Sequence, residues 1–337
     1  MTNKAKLTIN NKKNYDLRKG KSLFHNLIDN NIYLPSACGG KGMCGRCRIK
    51  VLSDIGNYTD SENRHLSEKE KQNGYRLACQ IIVKRNLSVE IPEDLLSWEY
   101  NAVVEKINDV THDIKSITLS FDKPMSFRAG QYIQLIIPPY GNIEDKTIRS
   151  YSMASPPSNK KNIELLVRLV PNGIATTYIH NHLNVGDRLS FTGPFGDFFI
   201  RDTNASILFI AGGSGLAPIK SMVLDILERK QTGRDMYFFF GARTAKDIYY
   251  DELFYNIDKK YAPFHFIPAI SEPDKITKWN GEKGLITDVV DNFLQKQDDR
   301  EWEAYLCGSP GMIKACVHNV LLKNNIKSGK IYYDKFA

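Results

Sequence analysis

A chain of 337 residues is too long for one ordinary hydrophobic core, so two or three domains are expected. Its 42% hydrophobic and 25% charged residues sit near globular averages, which argues against a disordered chain, and no apolar run reaches the ~18 residues of a membrane span. The net charge is +8, yet residues 1–95 hold 17 Lys/Arg and 10 Asp/Glu, a net of +7, so the remainder is nearly neutral. No nucleic-acid motif accompanies the basic segment, which leaves a lysine-rich composition or an acidic docking partner as its meaning. The polar N-terminus has no secretion-signal core, so a cytoplasmic protein is expected. Its six cysteines are then reduced and serve as ligands or reactive groups rather than disulfides.

Taken in chain order, residues 1–95 show short β-like runs at 6–9, 47–52, 80–84 and 87–91 around a glycine- and cysteine-rich loop. One helix is predicted at 23–30, with Ser22 as its N-cap and Leu23, Phe24, Leu27 and Ile28 on one face. Residues 92–98 read as a linker. Residues 100–200 are strand-rich with evenly spaced turn signals, as in a small antiparallel barrel, and 175–182 form a short helix. From 205 onward the pattern changes. The apolar run 206–211 reads as a strand buried on both faces, followed by a helix with Ile219, Met222, Val223, Ile226 and Leu227 on one side. Strand signals recur at 236–240, 264–269 and 304–307 between helical stretches, which predicts a parallel α/β sheet.

Cys38, Cys44 and Cys47 share the loop SACGGKGMCGRC, and Cys79 follows in GYRLACQ. Three ligands in one loop and a remote fourth match the C-x4-C-x2-C…C arrangement of plant-type [2Fe–2S] centres, here with a first spacer of five residues. Gly39, Gly40, Gly42 and Gly45 let the backbone wrap closely and aim N–H groups at sulfur. Structural zinc also takes four thiolates, but usually from two C-x2-C arms, and only Cys44 and Cys47 form one. Residues 1–95 resemble the plant-type ferredoxin domain, which implies a β-grasp fold. The long first spacer resembles that of the flavin-and-ferredoxin subunit of the sodium-translocating NADH:quinone reductase. That subunit carries an N-terminal membrane helix, which this chain is expected to lack.

Arg149-Ser150-Tyr151-Ser152 follows the strand pattern FRAGQYIQLIIP. Arg offers a fork for a pyrophosphate, Tyr a flat face for an isoalloxazine ring, and Ser a hydroxyl donor toward a flavin nitrogen. Downstream, Gly173-Ile-Ala-Thr176 opens a helix whose N-terminus suits a phosphate. With GDRLSFTGPFGDFF at 186–199, the pattern resembles the ferredoxin–NADP reductase family across residues 100–337. The resemblance implies FAD, with Arg149, Gly173 and Thr176 around the pyrophosphate, Tyr151 stacked on the ring and Ser152 near its N5.

Gly212-Gly213-Ser214-Gly215 follows the buried strand and opens a helix, an arrangement that admits a dinucleotide pyrophosphate. Cys307-Gly308-Ser309-Pro310-Gly311 repeats the turn after a later strand; in the family it resembles, that cysteine and glycine border the nicotinamide. Cys316 reads as a core residue. Arg243 and Lys246, at the end of the strand 236–240, could grip a 2′-phosphate. NADH-using relatives also carry Gly-Ala-Arg there, so NADH is preferred over NADPH. The family resemblance also places a C-terminal aromatic, here Phe336, over the flavin face.

The expected fold class is multidomain α+β and α/β. It comprises a β-grasp ferredoxin domain at 1–95, an antiparallel FAD-binding β-barrel at 99–202 and a parallel α/β nucleotide-binding domain at 203–337. The expected function is electron transfer from NAD(P)H through FAD to the cluster and on to a protein acceptor, such as an oxygenase component, which the resemblance to oxygenase reductases implies. Ser152, Cys307 and Phe336 would flank hydride transfer. The alternatives are a quinone-directed reductase peripheral to a membrane and a non-catalytic redox-sensing flavoprotein.

Overall fold

The computed structural model describes residues 4–93, 99–229, 233–273, 279–297 and 300–335. The chain divides into two compact units. One lies within Met1–Asn101, Ile133–Ser150 and Leu189–Gly193, the other within Ala102–Tyr132, Tyr151–Arg188 and Pro194–Ala337. No helix among the described residues is long and apolar enough to cross a membrane.

The first unit begins with β1 (Lys4–Ile9) and β2 (Lys13–Arg18), an antiparallel pair whose turn places Asn10 and Asn11 at φ of 53° and 54°. Asparagine tolerates that left-handed backbone, so the turn is encoded locally. Then follow α1 (Leu23–Asp29), β3 (Arg48–Val51), α2 (Asp60–His65), α3 (Glu68–Gln72), β4 (Tyr75–Leu77) and β5 (Leu87–Glu90). The sheet order is β2-β1-β5-β3-β4, with β1 and β5 parallel and the neighbouring pairs on either side antiparallel, a β-grasp arrangement. As expected, Ser22 caps α1 by accepting from the His25 amide. Leu23, Phe24, Leu27 and Ile28 of α1 are buried in one core with Leu7, Ile9, Ile49 and Val89 of the sheet.

One expectation fails here. Residues 80–84 do not form a strand: Ala78–Gln80 is a 3₁₀ turn, and Ile82 makes only an isolated bridge to Ser22. The apolar residues Ile81 and Val83 are buried, but their backbone groups bond the turn that enters α1, through Leu23 N to Ile81 O at 2.7 Å and Val83 N to Lys21 O at 3.1 Å. A turn offers no continuous ladder, so the apolar pattern cannot propagate as a strand.

β6 (Glu99–Asp109), β7 (Ile114–Phe121), β8 (Tyr132–Ile137), β9 (Thr147–Ser152), β10 (Asn162–Arg168) and β11 (Arg188–Phe195) form a six-stranded antiparallel sheet in the order β10-β7-β6-β11-β8-β9. Its helix, α4 (Ile174–Asn181), starts at Gly173.

β12 (Ser206–Gly212), α5 (Leu216–Glu228), β13 (Met236–Ala242), α6 (Asp251–Lys260), β14 (Phe264–Ile270), β15 (Glu282–Lys283), α7 (Ile286–Leu294), β16 (Trp302–Gly308), α8 (Pro310–Ala315) and β17 (Ile331–Lys335) complete the chain. Their six strands are all parallel, in the order β15-β14-β13-β12-β16-β17. β12 is central and its residues 207–211 are at most 1% exposed, which is why that run is apolar throughout. On β13, Phe238 and Phe240 join the core on one face and Phe239 the core on the other. Each such burial contributes about 1.5–3 kcal/mol.

α2 and α3 are held by reciprocal caps, Thr59 with Glu62 and Ser67 with Glu70. Glu62 is fully buried and takes two hydrogen bonds from Arg76, at 2.8 and 2.9 Å, with further donors at the amides of Thr59 and Leu77. Burial pushes the Glu62 carboxyl up, but the Arg76 bonds and the two amides outweigh it and hold the group below its usual value of 4.5. Its stabilisation is therefore complete above about pH 4.5 and lost as pH falls through the depressed value. Glu62→Gln leaves Arg76 buried without a counter-charge. Denaturant titration at pH 7 should show a loss of about 3 kcal/mol, which the paired Glu62→Leu/Arg76→Leu variant largely recovers. A loss below about 0.5 kcal/mol in the single variant contradicts this account.

Candidate functional site

In the first unit the loop after α1 carries three of the four predicted cluster cysteines, and the 3₁₀ turn after β4 carries Cys79. Their thiols meet as two pairs. The Cys44 thiol donates to Cys38 and pulls it down to about 4, against burial and with help from the amides of Met43, Cys44 and Lys41. The Cys47 thiol donates to Cys79 and pulls it down, against burial and with help from the Gln80 side chain and the Gly42 amide. The donor in each pair, Cys44 or Cys47, is pushed up first by its bond to the partner and then by burial. Among the described residues no three His, Cys, Asp or Glu side chains converge on a point that would hold one ion. Two thiol pairs ringed by amides are instead a donor set that would hold a [2Fe–2S] cluster through four thiolates. The residues present thus fit that group.

Elements that the cysteine motif does not announce hold this loop. Gly39, Gly40, Gly42 and Gly45 all have positive φ. Ser61 of α2 donates to the Gly42 carbonyl, and Gln80 Nε2 lies 3.6 Å from Cys79 Sγ and against Gly42. His65 packs on Gly45. On the other side, the Ser150 hydroxyl of β9 donates to the Ser36 carbonyl, and a side chain on Gly39 would collide with the Arg149 guanidinium. Ile136 and Ile148 are buried in the same core as α1 and the cysteines Cys47 and Cys79. Sequence signals existed for α2 in its Thr59-x-x-Glu62 box, but none for the Ser36–Ser150 bond.

Arg149 is on β9, half-buried, with Nη1 donating to the Ile148 carbonyl at 2.7 Å. On the same strand Tyr151 is half-buried and Ser152 is buried. In the second unit, Gly173 begins α4 with no side chain capping it, an arrangement in which an anion can take the place of the cap. The Thr176 hydroxyl is engaged in the turn, accepting from the Val170 amide at 3.1 Å and close to the Gly173 carbonyl at 3.2 Å.

The glycine turn Gly212-Gly213-Ser214-Gly215 joins β12 to α5, again with no side-chain cap and no acidic residue in the first turn. Gly215 cannot be anything larger, because a side chain there would collide with the Cys307 carbonyl at the end of β16. The turn, Cys307 and Gly308 are thereby brought together. Cys307 is fully buried, and burial, reinforced by Asp334, holds its thiol far above the ordinary range and so protonated. Tyr249 donates to the Gly213 carbonyl at 2.9 Å, and Arg168, paired with Asp113 at 2.7 Å, lies beside Gly213. Glycine-lined turns with uncapped helix starts fit a dinucleotide. Arg243 and Lys246 are exposed at the end of β13, and Cys316 is buried in the core beside α8. β17 pairs with β16 so that Asp334 and Lys335 lie opposite Cys307 and Gly308; Phe336, the next residue, falls outside the described residues.

The same unit holds a buried ionic group that no motif announces. Glu164 of β10 pairs with Lys220 of α5 and accepts from Tyr250 and, at 2.8 Å, from Ser116. Burial pushes Glu164 up, but the Lys220 charge and these bonds hold it below the usual carboxylate range.

Comparison with known proteins agrees with this division of chemistry. Residues 7–84 match the 2Fe-2S iron-sulfur cluster binding domain, 101–200 the oxidoreductase FAD-binding domain and 209–318 the oxidoreductase NAD-binding domain. The structure is similar to an Amycolatopsis cytochrome P450 reductase, with a TM-score of 0.72 at 28% identity over 98% of each chain. It is also similar to the ferredoxin reductase of carbazole 1,9a-dioxygenase, with a TM-score of 0.71 at 27% identity over 99% of this chain and 98% of that one. The F subunit of the Na(+)-translocating NADH-quinone reductase of Klebsiella pneumoniae is 33% identical over 98% of this chain and 91% of its own. The chain is an NAD(P)H-dependent oxidoreductase that uses FAD and a [2Fe–2S] cluster, and it belongs to the family of the Na(+)-translocating NADH-quinone reductase F subunits.

Proposed function

We propose that the chain takes hydride from NADH and delivers single electrons to a soluble acceptor protein, such as an oxygenase component, that docks through an acidic face. The paired thiols, set in a loop that touches the strand of Arg149, are the observation that carries the reading. FAD, when bound, accepts two electrons as hydride and releases them singly, and a [2Fe–2S] cluster takes one at a time. The chain's own residues supply the rest. Cys38, Cys44, Cys47 and Cys79 hold the cluster. Arg149 and the turn of Gly173 and Thr176 bind the FAD pyrophosphate, Tyr151 covers the ring and Ser152 hydrogen-bonds it. Gly212, Gly213, Ser214 and Gly215 admit the dinucleotide, and Arg243 meets its ribose end. Protonated Cys307 and Gly308 border the nicotinamide without offering a competing nucleophile. The modules run 1–95, 99–202 and 203–337.

The similarity to a cytochrome P450 reductase and to the ferredoxin reductase of a dioxygenase supports a protein acceptor. A second reading, a quinone-directed reductase held at a membrane surface, draws on the relatives in the NADH-quinone reductase.

Cys44→Ser replaces a soft thiolate with a hard oxygen ligand, which iron in a sulfur cluster holds poorly. Of the flavin and nicotinamide residues only Arg149 lies in the unit of the cysteine loop, so NADH oxidation with ferricyanide should persist. Cytochrome c reduction should fall about tenfold or more as the cluster is lost. Equal retention of both activities in folded, cluster-free protein contradicts the relay.

The acidic-partner reading is checked by ionic strength. With the acidic haem protein cytochrome b5 as acceptor, kcat/KM should fall severalfold between ~0.02 and ~0.2 M salt, as the Debye length shrinks below ~10 Å. A rate indifferent to salt contradicts it.

A further inference from the structure

We propose that electrons leave the cluster at Cys44 and the neighbouring Met43, onto an acceptor protein whose docking face is an apolar hollow edged with carboxylates. This rests on the reading of the four cysteines as cluster ligands and narrows the acidic-partner reading to one surface.

The four thiols differ in exposure. Cys38, Cys47 and Cys79 are buried, and Cys44 alone of the four is partly open. The loop has two ends of opposite character. At Gly39 it lies against Arg149 and the Ile148 carbonyl, and Ser36 accepts from Ser150, so that end is occupied by the chain itself. Beyond Gly42, which is pinned by Ser61 and Gln80, the loop turns outward. Met43 is 59% exposed there, more than Leu52, Tyr75 or Ile82 of the same unit.

The Met43 amide is committed to Cys38, so the backbone beneath the side chain is fixed while the thioether stays adaptable. Seated in a partner's hollow, it would expel water beside Cys44 and bring the two redox centres together. Apolar anchors of this kind dominate the energy of interfaces, whereas the charges around them set the on-rate and the choice of partner. The surrounding charges are basic. Lys41 is exposed, Arg46 partly so, and Arg64 is exposed on α2, the helix that packs its His65 on Gly45; Asp60 is the acidic exception at the start of that helix. Carboxylates on the partner complement this edge.

The test uses holoprotein with NADH as donor and two haem-protein probes, acidic cytochrome b5 and basic cytochrome c, with rates expressed per cluster from the visible absorbance; calorimetric titration of the oxidised proteins without NADH reads the Kd for cytochrome b5, which Met43→Ala and Lys41→Glu should each weaken severalfold. Met43→Ala should lower kcat/KM for cytochrome b5 about tenfold, and Met43→Leu should restore it to within about twofold. Lys41→Glu should lower the cytochrome b5 value about fivefold and raise the cytochrome c value. Cytochrome b5 rates within about twofold of the parent in both Met43→Ala and Lys41→Glu overturn the proposal. If those rates are still slowed by salt, an acidic partner docks elsewhere and only the exit surface fails. If salt has no effect on the parent protein, the acidic-partner reading fails with it.

Discussion

The hydroxyl of Ser150 donates to the carbonyl of Ser36, two residues before Cys38. That bond ties the loop that carries the thiols to a strand of the FAD-binding region. The bond does not act alone: Gly39 has no side chain where the Arg149 guanidinium lies, Lys146 reaches Asn31 at 3.1 Å and Lys21 reaches Asp145 at 3.2 Å. Ile136 and Ile148 meanwhile share the core of the β-grasp fold. Surface polar contacts of this type contribute little stability, whereas the shared core makes the contact durable.

Within the second unit a different constraint acts on the glycine turn of residues 212–215. Glu164 on β10 and Lys220 on α5 are both nearly buried, and the pair is satisfied by Tyr250 and Ser116. α5 is the helix that the glycine turn opens, so fixing Lys220 fixes the turn. Tyr249 holds the turn from another side through the Gly213 carbonyl. A buried ion pair adds little net stability against an apolar substitute, but removal of one partner is costly. Its evident effect here is orientation.

The features most legible in the sequence were those whose chemistry lies close together along the chain. The glycine–cysteine loop, the Arg-x-Tyr-Ser strand and the Gly-Gly-Ser-Gly turn each combine ligand-type residues with the backbone freedom their task needs, and they lie within the three stretches that match the cluster-, FAD- and NAD-binding families. The missed features depend on distant partners or on weak patterns. β2 is a polar edge strand with no clear alternation, detectable only from the Asn10-Asn11 turn. α2 and α3 are short and nearly all polar, so periodicity could not reveal them, although their capping boxes could. Residues 80–84 look like a strand because Ile81 and Val83 are buried, and only the tertiary position of the turn into α1 shows otherwise. Glu164, Lys220, Ser36 and Ser150 have no local signature at all.

The central claim is that electrons pass in order from nicotinamide through flavin to the cluster. Rapid anaerobic mixing with NADH, freeze-quenched at successive times, reads that order directly through flavin absorbance and the electron paramagnetic resonance of the reduced cluster. Flavin bleaching should come first, and the reduced-cluster signal should rise afterwards, within the time of one steady-state turnover. A cluster signal that stays silent through many turnovers while an acceptor protein is being reduced contradicts the account.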